Sequence, residues 1–484
     1  MKVLFTHSYF LHFDAKQLEL SKPYPPLSTL LAASFIRENG FEVSFFDVNF
    51  EKSAISIVPI LKKQKPDVLV IYDDGFNYLT KMCLTNMRNA AYEMSTYAHN
   101  LGIKVLISSS DSTDHYNSYL ENGVDAVILG EAEDTLLETL QHLQQQKPID
   151  TIVGLATIKD GEKISNGKRP VRTNLDVLPF AAWNLLDIKP YQKAWKKHGY
   201  FSINMATTRG CPYKCNWCAK PIYGNRYNTR SPQKVVDELV LMKSLFHFDH
   251  IWFSDDIFGL KPNWVKEFNE VLKSTQLKFT YKIQSRADLL LKDETIKDLA
   301  ESGADEIWIG AESGSQKILD AMDKGTTVSQ IYEATQLMKK HGLKPCFFLQ
   351  FGYLDEKQED INTTLKMVFE LMPHDIGVSV SYPLPGTKFY DKVKSQLTKK
   401  ANWTDSDELL LMYKNTFSPE YYKTLHRYLH KKFRGKQSIS ELIKVLSFRS
   451  YHLKRSFSFI YFKPASWLEK SKLSKLVKYN ESII

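Results

Sequence analysis

The 484-residue sequence predicts an α/β protein: an N-terminal doubly wound Rossmann-like domain, a partial (β/α)6 TIM-type barrel, then a helical C-terminal region. Three observations predict it. Short β-branched apolar runs alternate with helical stretches in two separate series, the pattern of parallel sheets covered by helices. An irregular segment, residues 148–200, lies between the series. Beyond residue 395 the alternation stops and helical periodicity takes over.

The first series fills residues 1–147, the first expected domain. Its strands are "KVLFTH", "FEVSFFDV", "PDVLVIY", "IKVLISS" and "DAVIL", separated by helical stretches such as "LSTLLAASFIREN" and "LTKMCLTNMRNAAYEMSTYAHN". Sheets of this kind bind ligands beyond the C-terminal strand edge. The loops "THSYF", "DDGFNY" and "SSSDSTDH" fall there. In the next segment "IVGLATIKDGEKI" reads as a hairpin with "DG" at its turn, and "LDVLPFAAWNLLDIKPY" as a linker.

The second series fills residues 201–395. Its strands are "SINMAT", "HIWFS", "FTYKIQ", "EIWIG", "CFFLQF" and "IGVSVSY". Six β-α units fit a partial barrel, whose chemistry sits at the C-terminal strand ends. Residues 396–484 mix Lys/Arg with aromatics on helical stretches such as "YYKTLHRYLHKKFRGK".

The net charge of +9 belongs to this tail. Beyond residue 400 lie 16 of the 64 Lys/Arg and seven of the 55 Asp/Glu, leaving 48 of each before it. Such a tail suits an anionic partner or membrane surface, with Phe448, Tyr451, Phe457, Phe459, Tyr461, Phe462 and Trp467 near its basic residues. The bland alternative is a helical cap with a solvated basic face. No apolar run is long enough to span a membrane, and the N-terminus reads as a strand, not a signal peptide. Five cysteines, three of them clustered, do not make a disulfide framework, which points to the cytoplasm.

The cluster lies in "TTRGCPYKCNWCAK", directly after the first barrel strand: Cys211, Cys215 and Cys218. Structural zinc needs four closed ligands, yet Cys346 is remote and no His follows at zinc-ribbon spacing. Inert buried thiols fit poorly with such spacing in a Gly-Pro loop. A 4Fe–4S cluster normally takes four cysteines; with three, one iron stays open to a substrate or cofactor. Cys83 and Cys346, in apolar surroundings, read as core packing.

C-x3-C-x2-C, with Trp217 before the last cysteine, resembles the signature of the radical S-adenosylmethionine superfamily. The resemblance implies that S-adenosylmethionine chelates the open iron and is cleaved to methionine and a 5′-deoxyadenosyl radical. Later stretches agree. "WFSDDIF" resembles the segment that holds the methionine amino group, making Asp255 and Asp256 candidates. "QSRADLL" places Arg286 to meet the cosubstrate carboxylate. "WIGAESGSQKILDAMDKG" resembles the "G-x-E-S-G" stretch and puts Glu312 near the ribose or amino group. "YPLPGTKFY" resembles "P-x-P-G-T".

The domain order resembles the cobalamin-binding branch, which includes class B methyltransferases and the anaerobic magnesium-protoporphyrin IX monomethyl ester cyclase. "GVDAVILGEAEDTLLETL" resembles its "D-x-V-x-x-G-E-x-E-x-T" segment. The resemblance implies cobalamin between the domains and methylation of an unactivated carbon of a small molecule or lipid; a cyclase or rearrangement is the alternative. It also implies an electron donor such as flavodoxin or ferredoxin. Three departures stand out: no D-x-H-x-x-G supplies an axial histidine, "SSSDSTDH" replaces a usual glycine pair, and "FGYLDEKQED" replaces "G-x-P-G-E-T". An RNA methylthiotransferase would carry three further N-terminal cysteines, and only Cys83 is there. A cobalamin or iron–sulfur sensor would not need six barrel units. No nucleic-acid motif accompanies the basic tail.

Overall fold

The computed structural model describes residues 1–77, 79–397, 402–447 and 456–481. The N-terminal sheet contains β1 (Lys2–Thr6), β2 (Glu42–Phe45), β3 (Val68–Tyr72), β4 (Lys104–Ser108), β5 (Ala126–Ile128), β6 (Leu155–Lys159) and β7 (Glu162–Ser165). Its order is β2-β1-β3-β4-β5-β6-β7, with the first five strands parallel. The chain therefore reverses direction across the sheet between β1 and β3, which marks the ligand edge. The central strands β1, β3, β4 and β5 are buried and apolar on both faces. Val3, Phe5, Val68 and Val70 pack under helices Leu27–Glu38 and Glu133–Gln144, while Leu4, Leu69 and Ile71 pack under Ile57–Gln64 and Leu84–His99. That two-sided burial is why these strands read as continuous apolar runs.

The expected hairpin forms and does more than link. Asp160 and Gly161 both have positive φ, as a two-residue I′ turn requires. Its strands β6 and β7 pair antiparallel onto β5 and extend the N-terminal sheet. The helix expected over residues 79–100 is split into Leu79–Met82 and Leu84–His99 at the buried Cys83, whose thiol faces Asp14.

The second sheet holds β8 (Ser202–Met205), β11 (His250–Phe253), β12 (Thr280–Ser285), β13 (Ala304–Glu312), β14 (Lys344–Phe351) and β15 (Asp375–Val380). Between β8 and β11 lie two short strands, β9 (Thr208–Arg209) and β10 (Asn228–Thr229), paired as a separate ribbon. The six long strands are parallel and in sequence order, an open barrel with β8 and β15 as its edges. Its helices begin with strong caps. Ser231 accepts from the Lys234 N–H ahead of Pro232–Leu245, and Thr327 with Gln330 forms a capping box ahead of Val328–Lys340.

The linker fastens the two sheets together. Glu238 accepts from the Ala181 N–H and the Trp183 indole and pairs with Arg230. Tyr191 donates to Asp47, and the Trp195 indole to the Pro23 carbonyl. The C-terminal region is a hairpin of helices Pro419–Leu446 and Phe459–Glu481. Phe448 and Tyr451 lie outside the described residues. No helix among the described residues is long and apolar enough to cross a membrane.

Candidate active site

The cysteine loop is held at both ends. Asn228 and Thr229 pair with Arg209 and Thr208, so the β9–β10 ribbon closes residues 210–227 into one loop. Gly210 turns with positive φ, and a Cβ there would lie 2.5 Å from the Arg226 carbonyl oxygen. No other residue type fits without moving backbone. In the middle, Asn216 donates to the Ala321 carbonyl at 2.7 Å and accepts from the Tyr353 hydroxyl at 2.7 Å. Its backbone bonds Met322 and Phe389 as well.

The three thiols within this loop are all free. Burial raises the pKa of Cys211 and pushes Cys218 up to about 11, with Cys215 and Asp256 acting on both in the same direction. Among the described residues no three His, Cys, Asp or Glu side chains converge on one metal ion. Thiolates that each bind a different iron of a cluster need not converge. The Trp217 indole N–H, between Cys215 and Cys218, is buried without a partner. A buried donor left unpaired is costly, so an acceptor at this position would stabilise the loop. The donor set therefore fits a thiolate-held cluster and not a single closed ion.

The other expected site residues divide. Asp256 is exposed beside the loop and close enough to act on Cys211 and Cys218. Asp255 faces the opposite way, fully buried. It accepts from the backbone N–H groups of Thr207 and Thr208 and from the Thr207 hydroxyl, all at 2.7 Å. Burial lifts its pKa to about 6 against those bonds. It pins the turn into the cysteine loop and offers no free oxygen to a ligand.

Glu312 ends β13 with φ +52°, a costly conformation for a non-glycine residue and frequent at functional sites. Its Oε1 accepts from Lys324 Nζ at 2.9 Å, both side chains buried. A Cβ at Gly310 would sit 2.4 Å from that ammonium, so the first glycine of "GAESG" makes room for the pair. Burial works against the Lys324 charge, but Glu312 and Cys215 outweigh it and raise the pKa. Lys324 was not singled out from the sequence; "MDKG" marks it only after the ion pair is seen. Arg286 is buried and already engaged. It donates to Asp288 at 2.9 Å and to the Lys324 carbonyl at 2.9 Å, and its guanidinium lies 3.7 Å from the Tyr213 ring of the cysteine loop.

The N-terminal domain meets the loop from above. Arg209, two residues before Cys211, is buried between Glu131 and Glu133 of the "GEAED" turn after β5. Phe76 stacks on Tyr223 across the same boundary. A cleft beside them is lined by Gly75, Lys81 and Ser110 on one side and by Thr208, Gly210 and Tyr223 on the other. Lys81 and Ser110 donate to nothing among the described residues, so the cleft offers free donors for amide or phosphate oxygens. Its free volume is about 30 Å³. The two open donors suit the amide and phosphate oxygens of a cobalamin, but the cleft at its present width does not admit a corrin ring.

Residues 205–368 match the Radical SAM superfamily model. An uncharacterized methyltransferase of Pyrococcus horikoshii is 26% identical over 386 residues, 78% of this chain and 81% of its own length. The hopanoid C-3 methylase of Methylococcus capsulatus is 24% identical, covering 92% and 83%. Among solved structures, OxsB, a cobalamin-dependent S-adenosylmethionine radical enzyme with aqua-cobalamin bound, superposes with a TM-score of 0.73 at 18% identity, covering 97% of this chain and 72% of that one. Thiol loop, open six-stranded barrel and matches agree: residues 205–368 carry a radical S-adenosylmethionine domain, the chain is an enzyme, and its succession of α/β sheet and open barrel is the fold of OxsB.

Proposed function

We propose that this enzyme methylates an unactivated carbon of a small organic molecule or lipid, using S-adenosylmethionine, a 4Fe–4S cluster and cobalamin. The observation that carries the reading is the pinned loop with three free thiols and an unpaired indole donor at the C-terminal ends of an open barrel. In this reading Cys211, Cys215 and Cys218 hold the cluster. When bound, it supplies the single electron that splits the sulfonium of S-adenosylmethionine.

The chain's own residues bind and orient. Lys324 offers a cation beside Cys215 for the cosubstrate carboxylate. Glu312 and Asp256 offer acceptors to its amino group or ribose. Arg286 holds Tyr213, and thereby the loop, and adds positive charge behind Lys324. Asp255 and Asn216 fix the loop's entry and centre. Lys81 and Ser110 would meet the cobalamin from the N-terminal side. Support for methyl transfer comes from relatives described as methyltransferases or methylases and from a neighbour solved with cobalamin. The reading keeps a cytoplasmic site, an electron donor of the flavodoxin or ferredoxin kind, and a peripheral membrane contact by the basic tail.

Anaerobic reconstitution with iron, sulfide and hydroxocobalamin tests it. Desalted protein should keep the cobalamin spectrum and, with reductant, yield both 5′-deoxyadenosine and S-adenosylhomocysteine. Deoxyadenosine with cobalamin retained but no S-adenosylhomocysteine would favour ring closure or rearrangement. Cobalamin lost on desalting would remove it from the reaction.

A further inference from the structure

The C-terminal hairpin leaves an apolar surface uncovered. On the first helix Ile439, Ile443 and Leu446 recur at spacings of four and three, one helical face. On the second, Ile460, Tyr461 and Leu468 recur likewise, with Trp467 beside them and Phe457 just ahead of the helix. All eight are 39–71% exposed, a concentration that soluble surfaces rarely carry. Phe459 and Phe462, by contrast, are half-buried. Gly435 of the first helix lies against Phe462.

The charge around this surface has one sign. Between residues 436 and 477 the acids are Glu441 and Glu469, both buried. Glu469 pairs with Arg427 and Lys431, and Glu441 with Lys444. Lys463, Lys470, Lys472 and Lys475 stay exposed on the second helix. Aliphatic and aromatic side chains bordered by lysines suit the boundary between acyl chains and anionic headgroups.

Its position decides what the contact can do. The first helix starts near the barrel mouth, where Tyr421 donates to Gln358 and Tyr413 to the Gly352 carbonyl after β14. It then runs to the opposite end, where Arg434 meets Asp375 at the start of β15 and Gln437 the His374 carbonyl. Leu446 lies nine residues beyond Gln437, about 14 Å past the barrel base at 1.5 Å per residue. Ile439, Ile443, Leu446 and Phe457 thus lie at the end remote from the cysteine loop, while Trp467 and Leu468 run back along the barrel's flank beside Arg427 and Lys431. An acidic electron-donor protein, which must approach that loop, would not dock here.

We infer that this hairpin is a monotopic anchor that seats on an anionic lipid bilayer and holds the barrel mouth turned away from it. The inference deepens the tail part of the proposed function and does not rest on the radical chemistry. It predicts anchoring, not direct delivery of a lipid into the mouth.

Flotation of the full-length protein with vesicles of phosphatidylglycerol and phosphatidylcholine tests it, with analytical ultracentrifugation alongside. The protein should float with these vesicles, and about tenfold less with phosphatidylcholine alone or at 0.5 M salt. Ile443→Glu with Leu446→Glu, Tyr461→Glu and Trp467→Glu should abolish flotation. Lys463→Ala with Lys470→Ala and Lys472→Ala should reduce it without touching the apolar face. Both variants should cleave S-adenosylmethionine as before, so that failure here leaves the radical reading standing. No flotation by folded wild type, or equal flotation by the apolar variant, would overturn the anchor. A wild-type dimer that fails to float and dissociates in the apolar variant would assign the surface to a second copy instead.

Discussion

Two strand edges face each other across this molecule, and they are finished differently. At the N-terminal edge the acidic side chains are answered by neighbours, while Lys81 and Ser110 stay open to the cleft. Ser8 donates to Asp73, Ser28 to Asp74, and Arg88 and Tyr119 both to Asp111. At the barrel edge groups are left open: three thiols, the Trp217 indole N–H and the Asp256 carboxylate. Buried acids that are already bonded are stable without a ligand. An edge with unpaired buried donors and clustered thiols is complete only when something is bound. The difference teaches where chemistry is to be sought, and it explains why the barrel carries the sharper sequence signature.

Four substitutions would break or sharpen this contrast. Cys215→Ala should have the largest effect, a loss of S-adenosylmethionine cleavage of roughly a thousandfold or more, with the thermal midpoint of the metal-free protein nearly unchanged. Product analysis and calorimetry check it. Arg209→Met crosses the boundary between the edges. It leaves Glu131 and Glu133 buried without their cation and should cost about 3–5 kcal/mol in urea unfolding. Adding Glu131→Gln and Glu133→Gln should recover part of that loss.

Arg88→Met, at the N-terminal edge, removes a partner of the buried Asp111 and should cost about 2–3 kcal/mol. Deoxyadenosine formation should persist at near wild-type rate, since no thiol-loop contact is touched. The smallest effect is pH-dependent. Glu356 is fully buried, and burial lifts its pKa to about 8 from an ordinary 4.5. Its contribution is full below the unfolded value and is lost as pH rises through about 8. Glu356→Gln should therefore match wild type near pH 5 and gain on it by pH 8, read as diverging unfolding midpoints across that range.

The fold was legible because the central strands of both sheets are parallel and buried on two faces, which writes each of them as a separate apolar run. The hairpin's turn was legible in Asp160–Gly161, but not its docking on β5, because the partner of an edge strand leaves no local mark. In the site, the cysteine spacing carried the inference. Asp255 and Asp256 could not be told apart in sequence, yet successive residues leaving a strand point to opposite sides. One became the pin of the loop and the other its exposed neighbour. Lys324, Asn216 and Arg209 were missed for a shared reason. Each acts through a partner 12 to 137 residues away, or across the domain boundary, and nothing in its own surroundings announces it. In the tail, composition announced a basic aromatic region, but helical phase decided which aromatics face out.

The most direct test of the central claim is low-temperature electron paramagnetic resonance on the reconstituted, reduced protein, before and after S-adenosylmethionine is added. About four irons per chain are expected, with the signal of a reduced 4Fe–4S cluster that changes shape when S-adenosylmethionine binds the open iron. Iron that washes away on desalting, or a cluster signal indifferent to S-adenosylmethionine, would contradict it.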